Sequence, residues 1–326
     1  MALRAFIAAS LLVVAGFCRA QAFSVGDPST ADGSATIYRI NLAARTANAI
    51  GTAGNGANNQ PIVAIGALTF SPTDGNLYAL ALTGATTPTL VTLSQTTGKA
   101  TTVSQVSAVA STAAQYLSLS FDCNGQLWMA SAANDNFWKL APATGATQLV
   151  GNLGVKITAL AYRNGVLYGV GGSGNANLYS IDTDTGKATP IGAYGTSVSV
   201  PVDAGFDSSG TLWALLRNYD GSNLPSQLNR LGRIDLTSGA MTITGAIAEP
   251  VPGSLLPSTL QGLAIAPPAC TAVVATATAV GAPAVSPTGI GVLVLSLLAA
   301  AAPAFRRQRG RSAAIVHRQM ATRNAN

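Results

Sequence analysis

Four times along the chain a short apolar run enters a turn that ends in glycine, and two residues later a leucine is followed by an aromatic. The four copies are Gly75-Asn76-Leu77-Tyr78, Gly125-Gln126-Leu127-Trp128, Gly165-Val166-Leu167-Tyr168 and Gly210-Thr211-Leu212-Trp213. These glycines recur every 40 to 50 residues, the length of a four-stranded unit that cannot bury its own faces and must stack on copies of itself. A second signature keeps register with the first. Alternating strands that end in a glycine turn lie at Leu93 to Gly98, Leu140 to Gly145, Ile181 to Gly186 and Ile234 to Gly239, each followed by an outer strand.

Each unit opens on small and apolar residues, as in Ala67-Leu68-Thr69-Phe70, Ser118 to Phe121, Ala159 to Tyr162, Ala204-Gly205-Phe206 and Leu263-Ala264-Ile265. Such a strand suits the crowded centre of a ring, and the aromatic of the second strand can fill the gap between neighbouring blades. The chain resembles β-propellers in general. The fifth inner strand, Leu263 to Ile265, lacks downstream partners, whereas Phe23 to Gly26, Ile37 to Asn41 and Ala47 to Gly51 supply a second, third and outer strand with no inner one. The fold expected is therefore all-β, a five-bladed propeller over residues 23–266 closed by pairing of N- and C-terminal strands, with six blades or an irregular ring as the alternative. Closure of this kind removes the open edges of a linear array.

Both ends read as addresses. Residues 1–22 combine Arg4, an uncharged stretch from Ala5 to Phe17 and small residues before Gln21 and Phe23, the layout of a secretory signal peptide. A cut after Ala22 satisfies the small-x-small rule, with a cut after Ala20 in second place; bulky Phe17 argues against Cys18 as a lipoprotein cysteine. Residues 267–287 form an uncharged linker rich in Ala, Thr, Val and Pro. Residues 288–305 are long and apolar enough for one transmembrane helix, and Arg306, Arg307, Arg309 and Arg311 open a basic tail, 306–326, that belongs on the cytoplasmic side.

The segment Ala282-Pro283-Ala284-Val285-Ser286-Pro287-Thr288-Gly289, the Leu- and Ala-rich run and the arginine cluster together resemble a degenerate form of the IPTL-CTERM or PEP-CTERM sorting signals of Gram-negative bacteria. That resemblance implies a membrane sorting protease as a partner and delivery to the cell surface. A permanent single-pass anchor is the other reading. Either way the expected location is exported, periplasmic or on the cell surface, with the domain held at the inner membrane before any processing.

The net charge of +6 comes from Arg4, Arg19 and six arginines after Phe305, so it reports topology and not a nucleic-acid surface. Within the exported part acidic residues slightly exceed basic ones. Cys123 and Cys270 remain as a pair in an oxidising compartment, each just beyond an inner strand, so a disulfide is a candidate.

The chemistry expected is sparse. The single histidine, His317, lies in the tail, so the propeller has no imidazole for a Ser-His-Asp relay or a His-rich metal site. Glu249 is the one glutamate, in a proline-rich connection. Asp74, Asp122, Asp182, Asp184, Asp207 and Asp235 fall in repeat turns, where bonding to backbone is their expected role. Asp182-Thr183-Asp184 lacks the ligands that would make a calcium loop, and Gly171-Gly172-Ser173-Gly174 joins two strands without opening a helix. No cofactor or metal is expected. Asn134, Asp135, Arg217, Tyr219 and Asp220, in the connections from second to third strand, offer polar contacts for a glycan or peptide. The sequence reading is a non-catalytic binding or structural module, with a carbohydrate-active enzyme using aspartates as the alternative.

Overall fold

The computed structural model describes residues 21–26, 33–56, 59–82, 87–107, 117–172, 174–195, 200–217, 229–248, 260–266 and 270. Residues 1–20 of the expected leader, the apolar run 288–305 and the arginines at 306, 307, 309 and 311 lie outside them, whereas Gln21 and Ala22, placed in the leader from sequence, are described and Ala22 opens a strand. Among the described residues no helix is long and apolar enough to cross a membrane.

Five four-stranded antiparallel sheets make five blades. Blade 1 holds β1 (Ala22–Gly26), β2 (Thr36–Asn41), β3 (Thr46–Thr52) and, innermost, the last strand β20 (Leu260–Ile265). Blade 2 runs outward through β4 (Ala64–Phe70), β5 (Leu77–Leu82), β6 (Thr89–Leu93) and β7 (Ala100–Gln105). Blade 3 follows with β8 (Leu117–Phe121), β9 (Leu127–Ser131), β10 (Asn136–Leu140) and β11 (Thr147–Asn152). Blade 4 has β12 (Ile157–Arg163), β13 (Val166–Gly171), β14 (Asn177–Ile181) and β15 (Ala188–Ala193). Blade 5 has β16 (Val200–Phe206), β17 (Leu212–Arg217), β18 (Arg230–Ile234) and β19 (Met241–Ala246). The five inner strands touch in the cyclic order β20, β4, β8, β12, β16.

The terminal strands pair as the repeat demands: Ala22 opposes Ile265 and Phe23 opposes Ala264. Ser24 reinforces the junction, its Oγ donating to the Gly262 carbonyl at 2.7 Å.

Five core clusters occupy the five gaps between blades. In each gap the aromatic of one second strand meets the last apolar side chain of the next inner strand. Phe23 lies edge-on to Phe70 at 5.8 Å, Tyr78 to Phe121 at 5.2 Å and Tyr168 to Phe206 at 5.6 Å. Trp128 shares a cluster with Tyr162, and Trp213 with Ile265. Edge-on pairs of this kind add to the burial of the rings themselves. Arg39, Lys139 and Arg233 lie over Phe23, Trp128 and Trp213 from the third strand, at 5.7, 5.4 and 4.5 Å from the ring centres. Their long stems cover the aromatic face while their charges stay wet.

The rim of the ring carries a second fivefold device. Every outer strand has a bulge against its third strand, at Ile37/Tyr38, Leu90/Val91, Phe137/Trp138, Leu178/Tyr179 and Leu231/Gly232. The bulge brings the outer strand against the turn of the following blade. Gly51 abuts the Thr97 carbonyl, Gly151 that of Thr185 and Gly192 that of Ser238. In blade 2 the same place is taken by Ser104, whose Oγ donates to the Pro142 carbonyl at 2.7 Å. Gly245 meets Arg45, which takes a left-handed φ of 54° where the other four turns have glycine. Blade 5 thus grips blade 1 as every other pair is gripped, with Ala47 N–H donating to the Ala248 carbonyl at 2.9 Å.

Candidate functional site

The propeller has two faces of different character. On the face of the first turns, aspartates build the corners. Asp122 Oδ1 accepts from the N–H groups of Asn124 and Gln126, both at 2.9 Å, while Oδ2 accepts from Trp128 Nε1 at 3.3 Å. Asp207 does the same with Ser209, Thr211 and Trp213 Nε1 at 2.9, 2.9 and 2.7 Å. Asp74 accepts from Asn76 N–H and the Tyr78 hydroxyl, both at 3.0 Å. Burial works against ionisation of Asp74 and Asp207, but these hydrogen bonds outweigh it and hold both carboxyls below the usual range. Asp182 and Asp235 serve the turns between third and outer strands, accepting from Asp184 and Thr185 and from Thr237 and Ser238. Hydrogen bonds lower both carboxyls.

At the centre of this face the inner strands end on Phe70, Phe121, Tyr162, Phe206 and Ile265, which line a shallow funnel. Four of the five are at most 8% exposed because their side chains turn into the gaps between blades, so the funnel floor is mostly strand edge. Tyr162 is the half-buried member; burial and the charge of Asp122 push its hydroxyl above the ordinary range. Arg163 reaches across to the Gly210 carbonyl and lies 5.6 Å from the Phe206 ring centre. Cys123, in the same turn as Asp122, is disulfide-bonded to Cys270 with Cα atoms 5.6 Å apart. The bridge joins a turn of blade 3 to Cys270, which follows β20 of blade 1 in the chain.

Midway along the axis sits a carboxylate that the sequence reading did not single out. Asp203 of β16 is buried, and its oxygens accept from Ala204 N–H at 2.9 Å and from Leu263 N–H of β20 at 2.8 Å. Leu68 N–H of β4 is a third donor. One side chain therefore ties three inner strands together, including the closing one. Burial pushes its carboxyl up to about 8, with the three backbone bonds opposing. An aspartate inside an apolar run, away from any turn residue, was the available signal.

The opposite face carries the residues picked from sequence for binding. Asn134 and Asp135 form the tight connection between β9 and β10. Asn152 Nδ2 donates to the Asn134 carbonyl at 3.0 Å, and Leu153 N–H donates to the Asp135 carbonyl at 2.7 Å. Asp135 has a φ of 59°, and its Oδ1 is buried with no hydrogen-bond partner among the described residues. Arg217 ends β17, opposite Val200. Asn134 and Asp135 thus lie in blade 3 and Arg217 in blade 5, with blade 4 between them, so the fold places them on one rim without bringing them into one contact. Tyr219 and Asp220 lie outside the described residues. Among the described residues no cluster of three or more His, Cys, Asp or Glu side chains could hold a metal ion.

Residues 29–215 match a family described as a repeat of unknown function, DUF6923. The chain belongs to that family. None of the curated proteins matches this DUF6923 chain. Among solved structures it is similar to a protein of unknown function from Bacteroides thetaiotaomicron, with 16% identity, 60% of this chain and 53% of that one covered and a TM-score of 0.43. It thus spans about half the length of that protein. A protein of unknown function from Bacteroides caccae has 10% identity, 76% and 99% coverage and a TM-score of 0.46. The PQQ-bound aldose sugar dehydrogenase of Streptomyces coelicolor has 13% identity, 68% and 80% coverage and a TM-score of 0.41.

Proposed function

We propose that this DUF6923 protein is an exported propeller, held at a membrane by its C-terminal apolar run or sorted to the cell surface, that acts as a non-catalytic binding or structural module. The Cys123–Cys270 bridge carries the exported part of this reading, because such bonds persist in oxidising compartments and are rare in the cytosol. The leader in residues 1–22, the apolar run 288–305 and the arginines at 306, 307, 309 and 311 support the same orientation. The module reading is supported by how the carboxylates are used: Asp74, Asp122, Asp182, Asp207 and Asp235 each bond to backbone N–H groups of their own turns, and Asp203 is enclosed at the axis. The rim with Asn134, Asp135 and Arg217 is the surface proposed to meet a glycan or peptide, since connections can vary there without disturbing the repeat.

The test is a glycan and peptide array run beside a hydrolysis screen on the purified chain. Binding without turnover is expected, with the array signal lost in Asn134→Ala/Arg217→Ala while the melting temperature is nearly unchanged. Hydrolysis of a glycan that disappears with a single aspartate substitution would overturn this reading in favour of a carbohydrate-active enzyme.

A further inference from the structure

The beginning of the ring-closing strand discriminates between the two bonds at which the leader could be cut. Cys18 and Ala20 satisfy the small-x-small rule for a cut after Ala20, just as Ala20 and Ala22 satisfy it for a cut after Ala22. The two products are not equally able to fold. Ala22 has no exposed surface and opposes Ile40 on one side and Ile265 on the other. It fills in blade 1 the slot that Leu77, Leu127, Leu167 and Leu212 fill in the other blades, each at the start of a second strand and opposite the end of a third. One residue earlier, the Gln21 carbonyl accepts from Ala266 N–H at 2.8 Å, the last rung between the termini.

A cut after Ala22 would remove that rung and the buried alanine. It would also leave an ammonium on Phe23, whose side chain is fully buried and whose backbone is paired with Arg39 and Ala264 on its two sides. An unpaired charge in that setting is costly. A cut after Ala20 keeps blade 1 whole and places the new terminus on Gln21, which is exposed.

We propose that the leader is removed between Ala20 and Gln21 and that Gln21 then closes to an N-terminal pyroglutamate. The inference rests on the exported reading above. A signal peptidase adds water across the Ala20–Gln21 peptide bond, leaving a carboxylate on Ala20 and an α-amine on Gln21. That amine attacks the Cδ of its own side-chain amide. The new lactam C–N bond forms, the amide C–N bond breaks, and ammonia leaves with the proton; no oxidant or reductant takes part. The product has no charge at the end of β1, and its Gln21 carbonyl still accepts from Ala266.

The full chain should be expressed in a Gram-negative host with its export machinery and the N-terminal tryptic peptide read by mass spectrometry. The expected peptide runs from Gln21 to Arg39, is lighter by one ammonia and resists Edman degradation. In Gln21→Ser the cut should fall at the same bond and the peptide should sequence normally. A peptide starting at Phe23, or an unblocked Gln21, would overturn the inference and leave the exported reading standing. A tryptic peptide starting at Ala20, produced when the leader is still attached through Arg19, would overturn both.

Discussion

Gly145→Val should lower stability by about 3 to 4 kcal/mol, near the upper end for a single substitution. Gly145 has a φ of 71°, so a side chain there carries about 1 to 2 kcal/mol of backbone strain. The Cβ would also stand 1.8 Å from the Gln105 carbonyl oxygen, a backbone atom of the neighbouring blade that cannot move without opening the seam. Gly165→Ala separates the two contributions. Its φ is 85° with nothing within 4 Å of the new Cβ, so only the strain should be felt. Melting temperatures should fall by about 10 °C for Gly145→Val and by less than half as much for Gly165→Ala. Equal shifts would mean that the turn glycines do not serve as seams between blades.

Asp203 should make stability depend on pH in the direction opposite to that of an ordinary salt-bridged aspartate. Its carboxyl is raised from 3.8 to about 8 in the folded state. The folded chain therefore holds a proton that the unfolded chain has lost between those values, and stability falls as pH rises through that window. Each pH unit crossed costs up to about 1.4 kcal/mol. Its contribution is complete below pH 3.8 and has gone by about pH 8. Asp203→Asn cannot ionise; its single amide oxygen keeps the Ala204 or the Leu263 N–H but not both, because these bond to different carboxylate oxygens, so the variant starts from a lower midpoint and is compared by its slope with pH. Urea melts of the wild type between pH 5 and pH 8 should show a declining midpoint that is flat, or much shallower, in the variant. Asp203→Ala leaves three buried donors without an acceptor and should be destabilised at every pH. A wild-type midpoint with the same pH dependence as that of Asp203→Asn between pH 5 and pH 8 would show that the axial carboxylate is ionised throughout and overturn this assignment.

The blades were legible because each depends on local chemistry. Thr73-Asp74-Gly75 and Asn164-Gly165 have turn residues whose backbone preferences are known in advance, and Leu77-Tyr78 follows them at fixed spacing. Closure was also legible, since Leu263 to Ile265 and Phe23 to Gly26 each lacked what the other supplied. The contacts between blades were not. That Gly51 faces Thr97, or that Arg45 stands in for a turn glycine, depends on residues brought together by the ring and not by the chain. Asp203 escaped for the same reason: its donors Leu68 and Leu263 belong to other blades. That the candidate residues share a rim was legible from the equivalence of connections in the repeat. The fold separates Asn134 and Asp135 from Arg217 by a blade, because equivalent connections radiate around the ring instead of converging.

Export of the propeller is tested most directly through its lysines. Lys99, Lys139, Lys156 and Lys187 are all the lysines of the chain, and each belongs to the propeller. Lys99, Lys156 and Lys187 are exposed. A membrane-impermeant amine reagent added to intact spheroplasts should therefore label Lys99, Lys156 and Lys187 as fully as it does after lysis, a cleaner readout than proteolysis of a closed ring. Labelling that appears only once the spheroplasts are lysed would place the propeller in the cytoplasm and contradict the account.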